Sequence, residues 1–271
     1  IAGAYMNIPV THIHGGDSPR GGLDEYARHA ITKLSHIHLP ATRKSAERII
    51  KMGEDEWRVY IVGSPALDVI LNEPLIPAES LSEKFELDLS RPSILVVQHP
   101  VTTQVDEAPK QMRETLEAIV ELGYPAIVIY PNSDAGGRRM IEVIKEYEKY
   151  PSIKTFKNLP RKEYLSLMKI ASVMVGNSSS GIIDAPSFGL PAVSIGMRQE
   201  GRERGKNIID VGHNKQEITE AIERALTDKG FLKEVKKCEN PYGDGEASQR
   251  IAEILSKVDI TSQLLQKKIA Y

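Results

Sequence analysis

The run Gly176-Asn177-Ser178-Ser179-Ser180-Gly181-Ile182-Ile183-Asp184-Ala185-Pro186 joins the apolar stretch Val173-Met174-Val175 to a helical pattern through glycines and hydroxyl side chains. A buried parallel strand that ends in such a turn presents free backbone N–H groups and serine hydroxyls where the next helix begins, which suits a diphosphate. Ser178, Ser179, Ser180 and Gly181 are the candidates for that cradle. Asp184 is expected on the first helical turn, facing the same mouth, where its carboxylate can accept two hydrogen bonds from a ribose diol. A serine-capped helix with an acidic first turn explains the same residues without any ligand.

A second concentration of chemistry lies near the start of the chain. His12, His14, His29, His36 and His38 are five of the seven histidines, and Asp17, Asp24 and Glu25 stand among them. His12 and His14 alternate on a strand, as do His36 and His38, without the i, i+4 pair or carboxylate spacing of a zinc helix, so no metal site is assigned. Gly15-Gly16-Asp17-Ser18-Pro19-Arg20-Gly21-Gly22 is a glycine-rich loop after a strand, the place where α/β proteins bind ligands. Asp24 either serves that loop or simply caps the next helix and pairs with Arg28 one turn on. A third strand, Ile94-Leu95-Val96-Val97, ends in Gln98-His99-Pro100, where proline keeps the chain extended and His99 at the sheet edge. As a cation His99 could offset diphosphate charge, as a neutral ring it could donate one hydrogen bond, and a buried structural histidine is the competing reading. Pro131-Asn132-Ser133-Asp134-Ala135-Gly136-Gly137 and Lys157-Asn158-Leu159-Pro160 are polar or proline-containing turns at equivalent heights.

These loops need a scaffold of alternating strands and helices, and the hydrophobic pattern supplies one. Strands are expected at 9–13, 36–39, 58–62, 93–98, 126–130, 153–156, 172–175, 192–195 and 207–211, mostly separated by amphipathic stretches, which indicates parallel α/β architecture. Lys44 to Met52 reads as a helix entered after Thr42 and closed by Gly53, and Thr115-Leu116-Ile119-Val120-Leu122 as an apolar stripe ended by Gly123. Between Asn72 and Pro92, prolines 74, 77 and 92 and three serines interrupt the rhythm. That stretch, 73–92, is the expected linker after a first domain over 1–72.

Composition limits the function classes. At 271 residues and 41% hydrophobic content the chain can build one large or two modest cores and reads as globular and soluble. Its 35 basic and 37 acidic residues leave a net charge of -2, which gives no general attraction for nucleic acid or anionic membrane. The single cysteine, Cys238, excludes an intrachain disulfide and fits a reducing, cytoplasmic compartment. No run approaches the roughly 18 apolar residues of a membrane span, and Ile1 to Tyr5 lacks the basic start of a signal peptide. Ile1 to Asn7 reads instead as a helix end closed by Asn7 and feeding a strand, the middle of a βαβ unit. An N-terminal portion is therefore expected before Ile1.

In order along the chain, His12-Ile13-His14-Gly15-Gly16-Asp17, Asp24-Glu25 with Arg28-His29-Ala30-Ile31-Thr32-Lys33-Leu34, Gln98-His99-Pro100-Val101-Thr102-Thr103, Pro131-Asn132-Ser133-Asp134-Ala135-Gly136, Gly176 to Gly181, Gly196-Met197-Arg198-Gln199 with Gly201-Arg202, and Asn240-Pro241-Tyr242-Gly243-Asp244-Gly245 form one set. This set resembles the hydrolysing UDP-N-acetylglucosamine 2-epimerases that feed sialic acid synthesis. The resemblance implies a glycosyltransferase-B-type fold, two Rossmann-like domains facing across a cleft. UDP would be held mainly by the second domain, 93–245, and a helical segment over 246–271 would return toward the first.

It also implies a reaction: a base removes the C2 proton, UDP leaves C1 to give a glycal, and water adds, releasing UDP and N-acetylmannosamine. Two acid–base events on one ring need more than one carboxylate. By position Asp17 and Asp24 match the acid–base carboxylates, with Glu25 their neighbour. His99 matches the residue beside the diphosphate, Ser178 and Ser179 the phosphate ligands, and Asp184 the ribose carboxylate. Asn132 and Leu159 match the uridine pocket and Arg198 a cleft arginine, while His14, Asp134, Ser180 and Gly181 complete the substrate-binding set. No cofactor is implied, and the partners implied are a UDP-sugar and further copies of the chain, as a dimer or tetramer.

Two departures stand out. The family often carries glutamate where Asp184 stands, one methylene longer. Its Gly-Asp-Arg motif and first nucleotide loop would precede Ile1, so the chain starting at Ile1 is expected to be inactive, a missing base costing about 10²–10⁴ in rate. Hydrolysing epimerases for UDP-diacetylbacillosamine or a GDP-linked sugar would keep the same loops. Non-hydrolysing epimerases share the fold but are associated with Glu where His14 stands. An inactive sugar-nucleotide-binding module is the alternative from another class.

Overall fold

The computed structural model describes residues 1–18 and 24–270; Pro19-Arg20-Gly21-Gly22 of the glycine-rich loop lie outside the described residues, and for Asp24 only its place in a helix is described. The chain forms two compact units, Ile1–Glu73 with Gly201–Glu203 and Asn240–Tyr271, and Pro74–Glu200 with Arg204–Glu239. No helix among the described residues is long and apolar enough to cross a membrane.

The first unit holds β1 (Thr11–Ile13) and β2 (Ile37–Leu39), paired in parallel, with helices α1 (Ala2–Tyr5), α2 (Asp24–Leu34), α3 (Arg43–Lys51), α4 (Pro65–Asn72), α12 (Ala247–Lys257) and α13 (Ser262–Leu265). Asn7, with φ of 54°, closes α1 as its polar side chain permits. Thr42 caps α3 by accepting from Ser45 N–H. The expected strand 58–62 does not form. Glu56–Arg58 is a 3₁₀ turn and only Val59 bridges to His38. Tyr60 and Val62 do donate to the carbonyls of His38 and Pro40. Proline has no N–H to return the bond, so the ladder stops.

A buried ionic knot ties the C-terminal segment to this unit. Glu54, whose side chain is shielded from solvent, accepts from Lys33 at 2.6 Å, His38 at 2.9 Å and Lys267 at 2.5 Å. Burial alone would raise its pKa, but the bonds from His38, Lys267 and Lys33 outweigh that and bring it down to about 2. Lys267 also donates to the carbonyls of Thr32, Lys33 and Ser35 at the end of α2, a favourable place for a cation. Lys267→Met should lower the unfolding free energy by about 2 kcal/mol, because Glu54 keeps two partners while three carbonyls lose a charged donor. A denaturation midpoint equal to the parent's would contradict this.

The second unit contains β3 (Ile94–Val97), β4 (Ala126–Ile129), β5 (Ile153–Phe156), β6 (Val173–Gly176), β7 (Ala192–Ile195) and β8 (Ile208–Val211). All pair in parallel, in the order β5-β4-β3-β6-β7-β8. Helices α5 (Ala78–Phe85), α6 (Ala108–Leu122), α7 (Gly137–Tyr147), α8 (Arg161–Ile170), α9 (Ser180–Ile183), α10 (Lys215–Thr227) and α11 (Lys229–Lys236) belong to it. Val96, Val128, Val175 and Ile195 pack with Met112, Leu116, Ile119, Ile144 and Ile222 in one core, as expected for strands covered on both faces. The order is that of a doubly wound Rossmann sheet, whose direction of winding reverses between β3 and β6.

The stretch 73–92, expected as a linker, joins the second unit from Pro74. Leu81 and Phe85 lie four residues apart on α5, both buried, and Phe85 meets Phe156 edge-on at 5.1 Å. Two apolar anchors among prolines and serines suffice to dock the segment, although its composition reads as a loop. The return to the first unit comes at Asn240, five residues before Gly245, because Tyr242 is buried there and its carbonyl accepts from Ser64 N–H at 2.7 Å.

Candidate functional site

The switch point brings the loops after β3 and β6 together. Val97 pairs with Gly176, and the Val97 carbonyl accepts from the N–H groups of Asn177 and Ser178 at 3.1 and 3.3 Å. Asn177 then clamps the neighbouring loop, accepting from His99 N–H at 2.7 Å and donating to the His99 carbonyl at 2.8 Å. Its own carbonyl takes Gln199 at 2.9 Å and Arg198 at 3.3 Å. Asn177 is thus a buried cross-brace, and the polar residues beside it inherit its rigidity.

His99 receives the Asn132 N–H on Nδ1 at 3.1 Å. An accepting Nδ1 leaves the proton of the neutral ring on Nε2. Burial, helped by the charge of Arg198, lowers the pKa of His99 to about 4. At neutral pH it is therefore a neutral hydrogen-bond donor. Val97, His99, Ile129, Tyr130, Pro131, Asn132, Leu159, Arg161, Tyr164, Ser178 and Ser180 are among the residues around a cavity of about 430 Å³. Its lining combines apolar Val97, Ile129 and Leu159 with the Asn132 amide, the His99 ring and the hydroxyls of Tyr164, Ser178 and Ser180. That mixture suits a nucleobase joined to phosphates.

Other expected residues fall nearby without lining this cavity. Asp134 borders an adjoining groove of about 660 Å³ with Asn132, and its carboxylate lies 3.9 Å from Arg198. Ser179 immediately precedes the single turn α9, and Gly181 faces inward toward Ala192 and Met174. Asp184 is not on the first turn of a long helix: α9 ends at Ile183, and a 3₁₀ turn over Ala185–Phe188 follows because Pro186 cannot continue the α-helical bonding. Its carboxylate is buried, 8% exposed, which raises its pKa against the lowering influence of the Ser180 hydrogen bond and Arg161. Arg161 and Tyr164 were not singled out from the sequence. The signal was there, in Pro160 starting a helix with Arg161 and Tyr164 three apart on one face.

The first unit gathers a second polar group. The Gly15-Gly16 turn drops β1 onto α3; at Gly16, with φ of 75°, an added Cβ would sit 2.3 Å from the Ser45 carbonyl oxygen. His14 follows β1 in the left-handed region at φ of 61°, with its ring stacked on Tyr242 at 6.2 Å between centroids. A left-handed histidine is a strained conformation of the kind found at functional positions. Burial lowers its pKa, and the nearby Asp17 opposes that. Asp17 is buried and ion-paired with Arg202 at 2.8 Å, while its carbonyl accepts from Arg28 at 3.0 Å. Glu25 accepts from Ser18 at 2.8 Å and meets His29 at 3.0 Å. Asp24 opens α2, and its side chain lies outside the described residues. Arg28 thus holds the Asp17 loop. Arg202 and Tyr242 stood in matched motifs without a role; burial beside Asp17 supplies one.

His12, His36 and His38 are held by internal contacts. His36 accepts from Val10 N–H at 3.0 Å, His38 meets Glu54, and His12 meets Thr32 at 3.2 Å. Burial lowers His12, like His99, from 6.5 to about 4. The unfolded chain therefore binds more protons than the folded one between those values, so stability rises with pH across that window. It is complete above pH 6.5 and falls as pH drops toward 4. Urea midpoints across this range should decline on the acid side, and a flat profile would contradict the buried neutral rings.

The family model for UDP-N-acetylglucosamine 2-epimerase matches residues 1–256. The UDP-N,N'-diacetylbacillosamine 2-epimerase (hydrolyzing) of Legionella pneumophila is 40% identical over 271 residues, covering 100% of this chain and 70% of that protein. A UDP-N-acetylglucosamine 2-epimerase of Neisseria meningitidis is 33% identical over 269 residues, covering 98% and 69%. Among solved structures, UDP-GlcNAc 2-epimerase from Neisseria meningitidis bound to UDP-GlcNAc superposes with a TM-score of 0.81 at 20% identity, covering 95% of this chain and 72% of that one. This structural likeness shows the fold, two Rossmann-like domains of glycosyltransferase-B type. With its matching family model and the identity to the Legionella and Neisseria proteins, the chain belongs to the UDP-N-acetylglucosamine 2-epimerase family.

Proposed function

We propose that this chain acts in a hydrolysing 2-epimerase for a UDP-linked 2-acetamido sugar, with UDP-N,N'-diacetylbacillosamine favoured as donor over UDP-N-acetylglucosamine. The observation that carries the reading is the mixed polar and apolar cavity of the second unit, whose lining includes neutral His99 together with Ser178 and Ser180. The base lies near Asn132 and Leu159, and the diphosphate near the serines.

The acid–base work falls to Asp17, Asp24 and Glu25. One carboxylate takes the C2 proton as the C1–O bond breaks, both electrons of that bond passing to the β-phosphate oxygen. A C1–C2 double bond remains. Water then adds hydroxide at C1 while a proton returns to C2 from the opposite face, giving UDP and the 2-epimeric sugar. His99 stabilises charge on the departing oxygen by hydrogen bonding. His14, where a glutamate is associated with non-hydrolysing enzymes, supports hydrolysis.

The donor preference follows the relatives. The 40% identical Legionella protein is named for hydrolysis of the diacetylbacillosamine nucleotide, and a 36% identical Campylobacter jejuni protein for GDP/UDP-N,N'-diacetylbacillosamine. UDP-N-acetylglucosamine, the first reading from the sequence, is the donor named for the 33% identical Neisseria protein. Separate incubation of the gene product that carries this chain with each donor, followed by mass identification of products, tests the preference. Faster release of UDP from the bacillosamine nucleotide is expected; turnover of UDP-N-acetylglucosamine alone would reverse it.

A further inference from the structure

Tyr164 contributes to the nucleotide cavity in a way that neither its motif nor the comparisons assign. It sits on the first turns of α8, where its N–H donates to the Pro160 carbonyl at 3.0 Å, and its side chain lines the cavity with Ser178 and Ser180. The phenol oxygen is shielded from water and has no hydrogen-bond partner of ordinary geometry. Its polar neighbours are Ser180, Asp184 and Ser178, with Arg161 also near. Burial pushes the phenol up to about 12, so it remains a neutral donor at all working pH values. A buried hydroxyl without a partner is costly and calls for a group that completes it. Asp184 shares the Ser180 hydroxyl but is not among the residues around the cavity.

We propose that the Tyr164 hydroxyl reads the nucleoside sugar, donating a hydrogen bond to a ribose hydroxyl, while Asp184 stays buried and orients Ser180. The inference rests on the reading of this cavity as the UDP site. It assigns ribose recognition to a phenol on α8 and makes the short carboxylate of Asp184 compatible with a complete site. With one methylene fewer than glutamate, Asp184 need not reach the ribose at all. A site that hydrogen-bonds a substrate hydroxyl discriminates against the analogue lacking it, because the protein group is then left unpaired.

Calorimetric titration of the chain with UDP, 2′-deoxy-UDP and 3′-deoxy-UDP tests this, alongside Tyr164→Phe and Asp184→Asn. Phenylalanine removes an oxygen that has no ordinary partner, so the fold should be unaffected, as a melting curve would verify. The unsubstituted chain should bind UDP about tenfold tighter than at least one deoxy analogue, and Tyr164→Phe should lose about tenfold for UDP and erase that difference. Loss of affinity for UDP and both analogues alike, or an unchanged preference in Tyr164→Phe, would overturn the inference. So would discrimination that survives in Tyr164→Phe and vanishes in Asp184→Asn, which would return the ribose to the carboxylate. Absence of any UDP binding by the unsubstituted chain is a different outcome: it would overturn the UDP reading itself, and the inference with it.

Discussion

Gly176→Ala should destabilise the second unit by about 3 kcal/mol or more and reduce UDP affinity at least about a hundredfold, the combined result of backbone strain and a clash that cannot relax. Gly176 ends β6 at φ of 131°, and an added Cβ would lie 2.2 Å from the Val97 carbonyl oxygen and 2.6 Å from its carbon. Both atoms belong to the paired strand β3, so no side-chain rotation relieves the contact. β6 must move away, and the Val97 carbonyl then releases Asn177 and Ser178, the pair that fixes His99 and the serine turn. Gly189→Ala is the control. Gly189 also has a left-handed φ, 61°, but nothing lies within 4 Å of an added Cβ. It should cost only the conformational penalty of about 1–2 kcal/mol and leave UDP binding intact. Equal effects of the two substitutions on UDP affinity would show that the close approach of β3 and β6 does not build the site.

The second large effect is expected at Asp17. Asp17→Asn should lower kcat by about 10²–10⁴ in the gene product that carries this chain, the range for loss of a positioned acid or base. It should also destabilise the first unit by about 3 kcal/mol, because the Arg202 guanidinium is left buried without its counter-charge. The two effects separate in the double variant Asp17→Asn with Arg202→Met. Removing the orphaned charge should restore much of the stability while activity stays low. Recovery of both would reduce the pair to a structural role, and loss of neither in the single variant would remove Asp17 from the chemistry. Arg28 is not expected to compensate, since it donates to the Asp17 carbonyl rather than to its carboxylate.

The fold was legible where apolar runs were short and uninterrupted. Val173-Met174-Val175 and Ile94-Leu95-Val96-Val97 have no polar residue to misplace, and both are central strands. The expected strand 58–62 failed because its continuation depends on Pro40, a partner twenty residues away in sequence that cannot donate a hydrogen bond. The stretch 73–92 hid its helix because two anchors, Leu81 and Phe85, carry the docking while the other residues resemble a loop. In the site, serine and histidine positions followed from loops at strand ends, a general property of parallel sheets. The protonation state of His99 did not, since it depends on the amide of Asn132 33 residues downstream. Arg202 and Asp17 are far apart along the chain, and their pairing is a tertiary fact. Tyr164 is an aromatic residue on the helix Arg161–Ile170, and its buried hydroxyl sets it apart.

Hydrolysis with cleavage of the C1–O bond predicts where the oxygen of water ends up. The most direct measurement is turnover of the favoured donor in heavy-oxygen water by the gene product that carries this chain, with both products weighed by mass spectrometry. One heavy oxygen in the anomeric hydroxyl of the released sugar and none in UDP is the expected result, because water adds to the glycal after UDP has left with the bridging oxygen. Heavy oxygen in UDP, or a UDP-linked epimer as the only product, would contradict it.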